Sequence, residues 1–190
     1  MKRLVAFLSI LFASVLCTAC INNFAIQELN NKAKAHLEKG DVEKAICRLQ
    51  SSIDLDGNIF ETRYNLGIAY IKHNDFKDAI EQLEAALKIK EVPEVYYSLG
   101  IAHEGLVSQM VEFGEPDDTD DIDDTIEEPK LEAKDIEIIL VHLSDATKAY
   151  ETYLEKAPEA SDKEEVLKQI QSVKESSEEY KQKLEALIVE

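Results

Sequence analysis

"RYNLGIAYIKHNDFKDAIEQLEAALKIKEV", residues 63–92, decides the fold. Leu66, Gly67 and Tyr70 stand in its first half, and Ala79, Leu83 and Ala86 in its second. Tyr70 lies four and three residues after Leu66 and Gly67, and Ala79, Leu83 and Ala86 follow at spacings of four and three, the period of one helix face. Asn74-Asp75 between them supplies turn chemistry. The stretch is not unique in the chain. Upstream, in "GDVEKAICRLQSSIDLDGN" (40–58), Asp41, Ala45, Ile46, Leu49 and Leu55 lie 34 residues before Asp75, Ala79, Ile80, Leu83 and Ile89. Downstream, "YYSLGIAH" (96–103) repeats Leu66-Gly67 as Leu99-Gly100, 33 residues later. A period of that size marks an array of small units. Gly67 and Gly100 let paired helices approach closely, and Ala45 and Ala79 do the same from the other helix. A single helix pair cannot bury its apolar face, so neighbours must stack.

The Leu-Gly pair, an aromatic three residues after the Gly and then a small residue, at a period near 34, resemble the tetratricopeptide repeat from about residue 26 to 160. The second repeat fits best, although Glu91 stands at the closing Pro and Pro93 follows slightly later. The first departs further: Lys32-Ala33 replace Leu-Gly, and His36 replaces the aromatic. The resemblance implies an all-α, right-handed superhelical solenoid of about three helix pairs (26–59, 60–92 and 93–160) with a C-terminal capping helix at 161–190. It also implies a concave groove, lined by the first helix of each pair, that holds a partner segment. Its implied residues are Tyr64, Ile68, Ile71, Tyr97, Ile101 and Glu104, with Asn30, Lys34 and Leu37 from the first repeat. Such an apolar stripe grips an amphipathic helix or an extended peptide. The alternative is that the chain's own N- or C-terminal segment covers it. One subclass of the family clamps C-terminal carboxylates. Asn65 and Lys34 suit that clamp, but Glu94 and Ser98 stand where basic or amide groups are needed, which excludes it.

The third repeat is interrupted. In "DATKAYETYLEKAP" (145–158), Ala146, Tyr150 and Pro158 have the spacing of a second helix, yet Ala146 lies 67 residues beyond Ala79. About one period has been added, read as an insertion over 107–140. A decayed fourth repeat is the weaker reading, because the segment has no Leu-Gly, no paired alanines and two prolines. Leu106, Val107, Met110 and Val111 on one side, and Ile136, Ile139, Leu140 and Leu143 on the other, extend both helices of the pair. The expected result is a long antiparallel hairpin of 93–113 and 130–157. Between its arms lies "GEPDDTDDIDDTIEEP" (114–129), nine of whose sixteen residues are acidic and none basic. A calcium hand needs alternating ligands, a Gly at the turn and a Glu at the twelfth place. The run 117–124 has neither the Gly nor the alternation, so it reads as a solvated loop.

The N-terminus carries a different signal. Lys2-Arg3, an apolar run to Leu16 and small residues make an export signal over 1–19, too short to span a bilayer. "LCTAC" (16–20) resembles the bacterial lipobox, with Cys20 lipidated and 20–25 as linker; Cys17 departs from the usual Leu. The alternatives are ordinary cleavage near Ala19 or an uncleaved anchor. Cys47 would then be the one thiol left in the body, which excludes an internal disulfide.

The net charge of −18 and pI of about 4.6 argue against nucleic acid as a partner. None of His36, His73, His103 and His142 lies in a metal spacing, and no catalytic or phosphate-binding motif occurs. No cofactor, metal or catalytic residue is therefore expected. The sequence reads as a non-enzymatic, lipid-anchored scaffold of the bacterial envelope, exported and facing the periplasm or exterior, that binds a protein or peptide. The alternative is an acidic cation-binding or surface-display lipoprotein that uses residues 114–129.

Overall fold

A computed structural model describes residues 22–113 and 131–189. Cys20, the export signal and the acidic stretch 114–129 lie outside the described residues. Within them there are seven helices and no strand. They are α1 (22–38), α2 (Val42–Leu55), α3 (Phe60–His73), α4 (Phe76–Ile89), α5 (Pro93–Phe113), α6 (Ala133–Lys156) and α7 (Lys163–Val189). The chain is an all-α helical-repeat solenoid. Helix α3 packs on α2 and α4, α5 on α4 and α6, and α6 on α7, so each helix from α2 onward is held by its neighbours in sequence.

The repeat is written into the turns. At the end of α1, Gly40 has φ +80° and Asp41 N–H donates to the His36 carbonyl at 2.9 Å. At the end of α3, Asn74 has φ 67° and Asp75 N–H donates to the Tyr70 carbonyl at 3.0 Å. Both are left-handed C-caps that satisfy the last carbonyls of the helix, one made by Gly and one by Asn. The aspartates that follow do not cap the next helices with their side chains. Asp41 instead pairs with Lys44 at 3.0 Å and His36 at 3.4 Å, and Asp75 with His73 at 2.8 Å.

Packing within each pair uses one notch. A Cβ added to Gly67 would come within 2.7 Å of Leu83, and one added to Gly100 would strike the Tyr150 ring. Tyr150 thus stands to Gly100 as Leu83 stands to Gly67. That match makes α6 the second helix of the third pair despite the residues inserted before it. Tyr97 meets Tyr153, Gly100 meets Tyr150 and His103 meets His142, so α5 and α6 run antiparallel. The two helices hold 21 and 24 residues against 14 in α3 and α4. At 1.5 Å per residue α6 is about 36 Å long and α4 about 21 Å. The added length is zipped by buried Leu106, Val107 and Met110 against Ile139 and Leu143. Helix α6 starts at Ala133, with Glu132 and Asp135 forming a reciprocal capping box.

Val166, Ile170 and Val173 of α7 are buried in the same cluster, so α7 closes the end of the array that the hairpin would otherwise leave open. Its far end does not continue this burial: Leu187 and Ile188 are exposed.

The turns give a paired test. Gly40 has open space around it, so Gly40→Ala adds only the left-handed backbone penalty, about 1–2 kcal/mol. Asn74→Gly removes a milder form of the same penalty and is expected to leave stability unchanged or raise it. Urea midpoints of the two variants should therefore move in opposite directions, or Asn74→Gly not at all.

Candidate functional site

Helices α1, α3 and α5 are the first members of their pairs, and α3 contacts α5 directly. On α3, Tyr64, Ile68 and Ile71 are half-buried. The Tyr64 ring stacks on Phe60 at 5.9 Å and 7°, and Tyr64 and Ile71 border the first core cluster. Their outer edges remain open, which is the state a contact surface needs.

The residues of α5 are more deeply engaged. Tyr97 sits against Tyr150 and Tyr153, with ring centroids 5.8 and 5.3 Å away. Ile101 borders the second core cluster, which contains the buried face of α7. The Glu104 carboxylate accepts the Tyr150 hydroxyl at 2.5 Å and the Gln169 amide at 2.6 and 2.9 Å. Burial and this carboxylate hold the Tyr150 hydroxyl far above its ordinary pKa, so it remains a donor. Tyr97, Ile101 and Glu104 therefore bind α5 to α6 and α7.

In the first repeat, Lys34 is exposed and Leu37 packs on the core. Asn30 does not face the groove as expected. Its amide nitrogen lies 2.9 Å from Thr62 Oγ1 and 3.1 Å from Ser52 Oγ, both fully buried hydroxyls, and its Oδ1 is buried without a partner. The reason is chemical: Ser52 and Thr62 need a polar partner where α2 and α3 meet, and Asn30 supplies it.

Beyond Glu104 an open cleft of about 360 Å³ lies among α5, α6 and α7. Val107, Val111, Val173 and Tyr180 make it apolar, and Glu104 and Glu112 rim it. The Tyr97 hydroxyl is also raised, by burial first and then by nearby Glu165, Asp162 and Glu104. This cleft is apolar with glutamates at its rim.

The histidines show what sequence spacing missed. His103, three residues after Gly100 where Tyr70 follows Gly67, is 8% exposed. Its Nδ1 lies 3.0 Å from Nδ1 of His142, 39 residues away, with ring centroids 5.2 Å apart. Burial, then the His142 ring, lowers its pKa to about 4, partly opposed by Asp145. No local motif signals this pair, because its members sit on different helices. Glu84, Tyr96, Lys148 and Asp145 line the cleft on which His103 opens.

A family model described as tetratricopeptide repeat matches residues 60–91. Among solved structures, the first TPR domain of the human RPAP3 protein is similar, with a TM-score of 0.58 and 19% identity, covering 81% of this chain and 95% of that one. The first TPR of Spaghetti (RPAP3) bound to the HSP90 peptide SRMEEVD is similar at a TM-score of 0.57 and 17% identity, covering 80% of this chain and 91% of that one. None of the curated proteins matches the sequence.

The His103 environment makes folding pH-dependent. The folded form resists protonation, while an unfolded histidine titrates near 6.5. Stability is fully present above pH 6.5 and falls as pH drops from 6.5 towards 4, by about 3 kcal/mol if His103 alone acts. Urea midpoints between pH 7 and 4.5 should decline more steeply in the wild type than in His103→Phe. Equal slopes would remove His103 from the account.

Within this all-α solenoid, residues 60–91, which are α3, the turn and α4, are the part that matches the tetratricopeptide-repeat model.

Proposed function

We propose that this protein is a non-enzymatic scaffold that grips a segment of another protein on the face formed by α1, α3 and α5. The observation that carries this reading is the half-buried stripe of Tyr64, Ile68 and Ile71 on α3, with Glu104, Asp162 and Glu165 near Tyr97 on the neighbouring first helix α5. A similar structure was solved with a bound peptide, the HSP90 peptide SRMEEVD, which supports peptide capture as the use of the face. The chemistry of the partner differs from that acidic peptide. A chain of net charge −18, with Glu94 and Ser98 where a carboxylate clamp needs cations or amides, disfavours such tails. The fitting partner is a helix or strand with apolar anchors flanked by Lys or Arg.

The scaffold acts at a membrane surface in this reading. Cys20 carries lipid and becomes the first residue of an exported bacterial envelope protein. No helix among the described residues is long and apolar enough to cross a membrane, so attachment rests on the N-terminal segment.

Two experiments separate these statements. Fluorescence anisotropy with labelled peptides should show binding of an apolar, Lys-rich peptide and none of SRMEEVD. Tyr64→Ala with Ile68→Ala should weaken the former by about thirtyfold, the effect of losing roughly 2 kcal/mol at an anchor. The melting temperature should stay within a few degrees of wild type; unchanged affinity would sink the groove assignment. Tyr97→Ala is unsuitable, because that ring is part of the α5–α6 contact. For the anchor, labelled fatty acid should mark the wild type and leave Cys20→Ser unmarked. Equal labelling of both would rule out Cys20 as the lipid site.

A further inference from the structure

The long hairpin carries a side-chain cluster that peptide binding does not use. His103 projects from α5, and His142 and Asp145 project from one face of α6 at i, i+3 spacing. A donor atom from each lies within 4.8 Å of the other two. We propose that His103, His142 and Asp145 bind a divalent transition-metal cation of the zinc type and so clip α5 to α6.

The geometry supports this in four ways. First, tetrahedral zinc with nitrogen ligands at 2.0–2.1 Å places two such nitrogens about 3.4 Å apart. The two Nδ1 atoms are already 3.0 Å apart, so only a few tenths of an ångström of separation is required. Second, Asp145 is exposed and its carboxylate already lies within 4.8 Å of both imidazole donors, so a change of side-chain rotamer can bring it into range without disturbing packing. Third, the donor set is selective. Two imidazoles and one carboxylate suit zinc and its first-row neighbours, whereas calcium and magnesium require oxygen ligands. Fourth, His103 and Asp145 line a cleft of about 210 Å³, which leaves a fourth position open to water or an exogenous ligand.

Without metal, one ring can donate its Nδ1 proton to the other across the 3.0 Å gap. With metal, both Nδ1 lone pairs turn to the cation, and each ring carries its proton on Nε2. Burial already keeps His103 in the neutral form that ligation needs. The cluster joins helices whose sequences are 39 residues apart at His103 and His142, so occupancy should stiffen the hairpin beside the groove.

The test uses the full chain in detergent, stripped with chelator, with Cys17→Ser, Cys20→Ser and Cys47→Ser to remove thiols that would also take zinc. Zinc chloride is titrated while ring ¹H–¹⁵N spectra of the four histidines are recorded. One equivalent should shift the Nδ1 signals of His103 and His142, leave His36 and His73 in place, and raise the melting temperature. Asp145→Asn and His142→Gln should each lower zinc affinity at least tenfold. Asp145 is exposed, so its variant is expected to fold as wild type, and circular dichroism checks this. The proposal is overturned if the His103 and His142 signals do not move. It fails equally if both variants bind as wild type, or if magnesium chloride produces the same shifts. Those last outcomes would place the cation on the acidic surface instead.

Discussion

The Tyr150 ring is the contact on which the rest of the architecture depends. It fills the notch left by Gly100, lies against Tyr97 and donates its hydroxyl to Glu104, which in turn holds Gln169 of α7. One side chain thus joins α5, α6 and the closing helix. The energetic logic is a hydrogen bond to a charged group in a mostly buried setting, worth about 1.5–3 kcal/mol, on top of the burial of an aromatic ring. Without a residue of that size opposite Gly100, a segment inserted inside a repeat would have no fixed register for its return. With it, the array resumes after the insertion as though none had occurred.

The same contacts divide the inner face in two. On α3 the stripe is backed by the core but not covered, whereas on α5 the equivalent positions are shared with α6 and α7. A partner gripping the α3 stripe would meet a preformed surface and order few side chains on binding, which lowers the cost of association. The cleft beyond Glu104 extends this surface along the hairpin, with glutamates at its edges. In the proposed reading, charge of that sign favours encounter with cationic segments over acidic ones.

Polar groups inside the array are placed at helix junctions. The Asn30 amide nitrogen, Ser52 and Thr62 hydrogen-bond where α1, α2 and α3 meet, leaving Asn30 Oδ1 unpaired, and His103 and His142 pair between α5 and α6. Burying such groups is tolerable only with partners, so each set constrains how its helices can slide or rotate.

Much of this was legible in the sequence. The 34-residue register was visible because Leu66, Gly67, Ala79 and Leu83 encode local requirements: helix period, close approach and turn geometry. The equivalence of Gly40 and Asn74 belongs to the same class, since left-handed caps select those residues wherever they occur. The two extended arms of the third pair were likewise readable from apolar spacing at Val107, Met110, Ile136 and Ile139. What only the tertiary structure decided concerns partners distant in the chain. Asn30 occupies a groove position by counting, but two buried hydroxyls on other helices draw it inward. Tyr97 and Glu104 look like surface residues until Tyr150 and Gln169 arrive beside them. His103 and His142 form no motif, because their meeting depends on how far α6 extends before it packs on α5. Periodicity determines which face of a helix is apolar; the identity of the residue that meets that face is set by packing between helices, which no local pattern contains.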